Sequence, residues 1–215
     1  MTQSLRIDFV SDIACPWCAV GLSSLQRALA NLGEAVDAQI FLHPFELNPD
    51  MKPEGEAIVD YIGKKYGRTP EQIAESQAQI RERGASVGFT FGPRTRVYNT
   101  FDAHRLLYWA GIEDKQLPLK MALLQAYHSH GKDTSDHDVL VQAAQSVGLD
   151  AAEARQVLQS GRYGDEVRAQ ERQYMEMGIQ SVPAIIFNGQ YLVSGGQPVE
   201  TFQRAIQEIL AEARG

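Results

Sequence analysis

Cys15 and Cys18 are the only thiols in the chain, and Pro16 and Trp17 separate them. Residues three apart on a helix share a face, close enough for a disulfide to open and close between them. A thiolate is the attacking species in such exchange, so the chemistry is available wherever one of the two sulfurs ionises easily. Zinc is the competing chemistry, since a Cys-x-x-Cys pair can be half of a tetrahedral site. That site needs two more ligands, usually a second close-spaced pair. No further cysteine exists, and His128 and His130 are too closely spaced for the usual zinc-finger pattern. No metal is expected. Two inert core cysteines would not account for Pro16-Trp17 between them at a helix mouth.

The flanking residues say how the pair is held. Leu5-Arg6-Ile7-Asp8-Phe9-Val10 alternates apolar and polar residues as a strand does, and Val20, Leu22, Leu25, Leu29 and Leu32 recur at helical spacing. Cys15 then falls at the helix N-cap, Pro16 at the first helical position where its missing N–H costs nothing, and Cys18 in the first turn. The unpaired N–H groups and the dipole at that end stabilise a thiolate.

Further along, residues 35–45 read as a second strand with Val36, Ala38, Ile40, Leu42 and Pro44 on one side. Strand, helix and strand make a βαβ unit, the context in which a Cys-x-x-Cys pair reads as a redox motif. A helical region follows. Thr69-Pro70-Glu71-Gln72 carries the signature of a capping box, and Leu117 to His130 reads as one amphipathic helix. Ala184 to Phe187 and Tyr191 to Val193 flank Asn188-Gly189, a strong hairpin signal. Val199, Phe202, Ile206, Ile209 and Leu210 give a last amphipathic helix. The expected fold is α/β, a βαβ half and a ββα half, with residues 1–53 and 161–215 forming one domain and 54–160 an all-helical insertion.

A net charge of −7 argues against a nucleic-acid partner or an anionic membrane surface. The sequence shows no secretory signal and no run of about 18 apolar residues, so a reducing cytoplasm is the expected setting. There a cysteine pair is catalytic more often than structural.

Taken together, Ser11-Asp12-Ile13-Ala14-Cys15-Pro16-Trp17-Cys18, Phe45-Glu46-Leu47-Asn48-Pro49, Asn99-Thr100-Phe101-Asp102-Ala103-His104-Arg105-Leu106-Leu107 and Val193-Ser194-Gly195-Gly196-Gln197-Pro198 resemble the DsbA-like thiol–disulfide oxidoreductases of the thioredoxin superfamily, and most of all the FrnE-like branch. The resemblance covers essentially the whole chain. It implies a thioredoxin-like fold with a helical insertion, Cys15 as nucleophile, Cys18 as resolving thiol, and Pro16 and Trp17 shaping the site. It implies a cis peptide at Val182-Pro183, with Val182 offering its backbone to substrate. It also implies disulfide- or thiol-bearing substrates, protein or small-molecule, and a thiol reductant. No bound cofactor is implied, with glutathione as a thiol co-substrate. Trp17 stands where the periplasmic relatives carry an imidazole, so a less oxidising couple is expected.

Two further residues draw attention. Asp8 matches an acid that such folds bury beneath the dithiol, against the alternative of an edge-strand carboxylate facing water. His104 either faces the cleft or lies on a helix surface, the latter favoured slightly. The kappa-class glutathione transferases and 2-hydroxychromene-2-carboxylate isomerases share the architecture, with another residue at the nucleophile position. A redox-switched binding or chaperone protein is the third reading.

Overall fold

The computed structural model describes residues 2–212. Strand β1 (Gln3–Ser11) lies inside a four-stranded sheet ordered β2-β1-β5-β6. It pairs in parallel with β2 (Val36–Pro44) and antiparallel with β5 (Ala184–Phe187), which pairs antiparallel with β6 (Tyr191–Ser194). An inner strand must be apolar on both faces. Leu5, Ile7 and Phe9 meet that need on one side and Val10 on the other. The β5–β6 connection turns on Asn188 and Gly189, both at positive φ (50° and 69°), as a tight two-residue hairpin requires.

Helices α1 (Pro16–Leu32) and α9 (Val199–Glu212) cover the Leu5, Ile7 and Phe9 face, packing Val20, Leu22, Phe202 and Ile206 against it. On the opposite face Tyr174, from the later helix numbered α8 below, joins Val10, Ala184 and Ile186.

Between β2 and β5 the chain is mostly helical. A two-stranded ribbon, β3 (Glu56–Ala57) with β4 (Arg96–Val97), brackets α2 (Ile58–Tyr66) and α3 (Pro70–Ser86). Then come α4 (Phe101–Ile112), α5 (Gln116–Leu124), α6 (His137–Ser146), α7 (Ala151–Ser160) and α8 (Gly164–Glu176). The capping box forms: Thr69 Oγ1 accepts from Gln72 N–H, and Gln72 Oε1 accepts from Thr69 N–H.

Two expectations shift. The insertion expected to be all-helical from residue 54 opens on a short strand, Glu56 and Ala57 pairing with Val97 and Arg96, and its first helix begins at Ile58. The helix read through His130 leaves α geometry at Gln125 for one π-helical turn, Gln125–Ser129. In that turn the adjacent Tyr127 and His128 are both buried.

The helical layer has its own apolar cluster, with Leu106, Trp109, Leu119, Leu123, Leu140 and Val157 at its centre. Ile13 and Ala14 from the β1–α1 connection belong to it as well. Burying a side chain such as Ile13 contributes about 1.5–3 kcal/mol, so the segment before Cys15 is pinned into the helical layer while Cys18 and α1 belong to the sheet side. Gln116 ties the same layer to the sheet. Its Oε1 accepts from Leu42 N–H at 3.0 Å and its Nε2 donates to the Leu42 carbonyl at 3.1 Å, along the outer edge of β2. No helix among the described residues is long and apolar enough to cross a membrane.

Candidate active site

Cys15 caps α1 in an extended conformation (φ −84°, ψ 115°), with Pro16 opening the helix as expected. Its carbonyl accepts from Cys18 N–H at 3.1 Å, the first turn of the helix. Both thiols are free and both are buried, Cys18 completely and Cys15 to 5% exposure. The Cys15 thiol donates to the Val182 carbonyl at 3.5 Å, and the Val182-Pro183 peptide is cis. Pro183 and the turn at Gly195-Gly196 lie flush on α1. A Cβ on Gly21 would stand 3.2 Å from Pro183 Cγ, and one on Gly196 2.9 Å from the Trp17 carbonyl oxygen. Pro16 and Trp17 are half-buried beside the thiols.

The two sulfurs differ in ionisation. Cys15 is held below the ordinary thiol range, first by the hydrogen bond from the Cys18 side chain and then by the Cys18 and Trp17 N–H groups, against burial and the Asp12 charge. Cys18 is pushed well above that range, first by burial and then by Cys15, with Lys120 offsetting part of the rise. Cys15 is therefore the more readily ionised of the two thiols, and it is the sulfur that lines the opening.

That opening is a cleft of about 640 Å³ between the dithiol and helices α2 and α3. Ile58, Ile62, Ile73 and Ile80 supply apolar wall, Lys65, Arg68 and Arg94 supply positive charge, and Val182 borders it beside Cys15. Arg94 is anchored there, donating to the Ala14 carbonyl at 3.4 Å and stacking its guanidinium on the Tyr127 ring.

Behind the dithiol lies a buried polar cluster. Asp12 Oδ1 accepts from Ala14 N–H at 3.2 Å and meets His104 Nε2 at 3.3 Å, and Oδ2 accepts from Leu47 N–H at 2.8 Å. Burial raises its carboxyl, and His104, the Leu47 N–H and Thr100 outweigh that, leaving it below the usual carboxylate range. His128 Nε2 donates to the Ile13 carbonyl at 2.9 Å, and burial keeps the ring neutral. Lys120, 1% exposed, borders the same small gap as His104.

Two of the expected residues stand elsewhere than anticipated. Asp8 is neither beneath the dithiol nor exposed on an edge. The two-residue period of β1 turns it, with Val10, to the face away from α1. There it receives Arg6 (2.6 Å) and meets His43 Nε2 (2.8 Å), while His43 lies against the Tyr174 ring. His104 is not a surface histidine. It is 3% exposed, because α4 is packed on the flank that carries it, and it faces Asp12.

Sequence reasoning assigned no role to Asp12, Lys120 or Glu46. Glu46 lines the cleft and shares Arg168 with Glu171; burial, and next the Glu171 charge, push its carboxyl up to about 7. A lysine among Leu117, Leu119, Met121, Leu123 and Leu124 was the signal available for Lys120. Among the described residues no group of three or more His, Cys, Asp or Glu side chains is arranged to hold a metal ion.

The sequence matches the DSBA-like thioredoxin domain family over residues 6–207. A probable DsbA oxidoreductase from Streptomyces coelicolor, SCO1869, superposes with a TM-score of 0.91 at 33% identity, covering 97% of this chain and 91% of that one. The cytosolic disulfide reductase DsbM from Pseudomonas aeruginosa, solved with GSH, has the same fold at a TM-score of 0.67 and 16% identity, covering 96% and 99%. The uncharacterized protein YwbO of Bacillus subtilis (strain 168) is 25% identical over 208 residues, 96% of this chain and 98% of that protein.

Proposed function

The chain belongs to the DSBA-like thioredoxin domain family, and on that premise we propose that it exchanges disulfides through Cys15 as nucleophile and Cys18 as resolving thiol. The observation that carries this reading is the asymmetry of the pair. Cys15 has the lowered ionisation, the Val182 contact and the open cleft; Cys18 has none of these and sits fully buried behind it.

The Cys15 thiolate attacks a substrate disulfide and expels one substrate thiol, leaving a mixed disulfide. Cys18 then attacks Cys15, forms the intramolecular disulfide and releases the second thiol; oxidation of substrate runs the steps in reverse. Val182 offers its backbone to the substrate segment beside Cys15, as the resemblance to the FrnE-like branch implies. The division into residues 1–53 with 161–215 and a helical unit of 54–160 fits this use, since α2 and α3 form the far wall of the cleft.

A small thiol co-substrate fits the same cleft. Lys65, Arg68 and Arg94 match the carboxylates of a molecule such as glutathione, and DsbM, of the same fold, was solved with GSH. With a glutathione-poised reductant the setting is cytoplasmic.

Insulin reduction by the full chain with glutathione as donor tests the proposal. Wild type is expected to turn over and Cys15→Ala to lose at least 100-fold, the scale on which a covalent nucleophile's removal is felt. Cys18→Ala is expected to accumulate the mixed disulfide. Equal rates for Cys15→Ala and wild type would overturn the assignment.

A further inference from the structure

Exchange through Cys15 has a proton to place as well as a sulfur. The sulfur that Cys15 expels departs as a thiolate, and an ordinary alkyl thiolate, with a pKa of about 8.5, takes up a proton at neutral pH. Among the described residues lining the cleft, Glu46 is the one carboxylic acid, and no histidine stands with it. The other ionisable side chains there, Cys15 apart, are tyrosine, lysine and arginine, types that in water exchange protons well above pH 7. Burial takes Tyr61 further from neutrality. Lys65 is committed, donating to the Leu47 carbonyl at 2.7 Å and to Asn48 Oδ1 at 2.8 Å.

The backbone brings this acid to the nucleophile. β1 and β2 run in parallel with Ser11 opposite Pro44, so the segments leaving the two strands lie side by side. Asp12 fastens them together: Oδ2 accepts from Leu47 N–H at 2.8 Å, and its carbonyl accepts from Cys15 N–H at 3.4 Å. On the other side of Glu46, Phe45 packs on the apolar cluster that also takes Val182, whose carbonyl receives the Cys15 thiol. Glu46 is thus held between two residues fastened to the surroundings of Cys15. Glu46 and Cys15 both line the one cleft, at 8% and 5% exposure.

The carboxyl is set to hold a proton. Arg168 of α8 donates to Glu46 Oε2 and, at 2.8 Å, to Glu171, so one guanidinium serves two buried carboxyl groups. Oε1 of each is buried without a hydrogen-bond partner among the described residues. Two carboxyl groups at one site resist ionising together, and one keeps its proton. Glu46 titrates near 7, burial acting first, Glu171 next, and the Asp12 charge adding to both against Arg168. Lys65 of α2 reaches the carbonyl of the next residue, Leu47, and Arg68 and Arg94 stand elsewhere on the cleft wall.

We propose that Glu46 is the general acid of the attack step, a catalytic residue that hands its proton to the substrate sulfur expelled by Cys15. In that step the Cys15 sulfur bonds to one substrate sulfur as the substrate S–S bond breaks. The second substrate sulfur leaves with the electron pair and takes the Glu46 proton, and Glu46 is left as carboxylate. Cys15 is oxidised, the leaving sulfur is reduced, and nothing else changes oxidation state. In the reverse step a thiol gives its proton to the carboxylate as its sulfur attacks the mixed disulfide and Cys15 leaves as thiolate. An acid that titrates near the working pH is the one best matched to both directions.

The inference rests on the exchange reading, so the test separates the two. In full-length Cys18→Ala protein the reaction stops at the mixed disulfide, which acid quenching and intact mass report. Two neutral probes are compared. Bis(2-hydroxyethyl) disulfide expels an alkyl thiolate that needs a proton, and 2,2′-dipyridyl disulfide expels a thiopyridone that leaves without one. The ratio of the two rates cancels any change in Cys15 itself. Glu46→Gln in the same background keeps the volume and an acceptor for Arg168 and removes the proton. It is expected to lower the hydroxyethyl-to-dipyridyl ratio about tenfold at pH 6, short of the roughly 10²–10⁴-fold usual for a general acid because a thiolate already leaves readily. The proton is on Glu46 below about 7 and gone above it, so the deficit should close as pH rises through about 7. A ratio that Glu46→Gln leaves unchanged, or a deficit that persists undiminished to about pH 8.5, would overturn the role of Glu46. Failure of the parent Cys18→Ala protein to form a mixed disulfide with either probe would instead overturn the exchange reading.

Discussion

Asp8 and Asp12 are both buried carboxylates from one stretch of chain, four residues apart, and they belong to different neighbourhoods. Asp8 looks away from α1 toward Arg6, His43 and Tyr174. Asp12 sits at the seam where the β1–α1 connection, the segment after β2 and helix α4 meet, and its charge acts on Cys15 and Lys120. The difference teaches that burial of an acid near a dithiol does not make it part of the chemistry. The partners decide, and on the α8 face they are Arg6 and His43, while at the seam they include the Cys15 thiol.

Removing each acid is the sharpest way to break this comparison. Asp12→Ala leaves the Ala14 and Leu47 N–H groups and His104 without their acceptor in a buried site, which should cost about 3–5 kcal/mol in urea unfolding and depress exchange. Asp12→Asn keeps the shape and removes the charge that raises Cys15, so Cys15 alkylation should persist to lower pH than in wild type. Asp8→Asn should cost about 1–2 kcal/mol, because one of its partners, Arg6, is largely exposed and the pair is partly screened. The pH profile of Cys15 alkylation should stay within twofold of wild type in that variant. A tenfold change there would place Asp8 in the dithiol's circle and erase the distinction.

The smallest effect concerns the Glu46, Arg168 and Glu171 cluster. Glu46 ionises near 7 in the fold and near its ordinary 4.5 when unfolded, so the folded state binds more protons between those values. Stability from this site is present below about 4.5 and is lost as pH rises through about 7. Glu46→Gln should therefore gain on wild type between pH 5 and 8, by about 1 kcal/mol after allowing for partial solvent screening. A constant difference in unfolding free energy across that range would show that the cluster does not titrate there.

Much of this was legible in the sequence. The N-cap position of Cys15, Pro16 at the helix start, the Asn188-Gly189 hairpin and the Thr69–Gln72 capping box are local signals, and local backbone chemistry honours them. The resemblance to the DsbA-like family supplied the cis peptide at Val182-Pro183, which composition would not have flagged. Asp8 was misplaced because a two-residue alternation says which residues share a face and not which face the first helix will cover. His104 was read toward the surface because the packing on α4 comes from elements far away in sequence. Lys120 escaped for the same reason: one charge in an apolar helix is seen to be buried only once β2 and α4 are packed beside it.

The clasp of Gln116 on Leu42 carries a consequence for how the protein coexists with its neighbours. An outer strand with free N–H and C=O groups is a template on which other extended chains can add, the route by which sheets aggregate. At Leu42 a single amide side chain occupies both groups. Helix α5 thus serves two ends one turn apart: Lys120 is buried in the gap beside His104, and Gln116 occupies the edge pair on which a foreign strand would start.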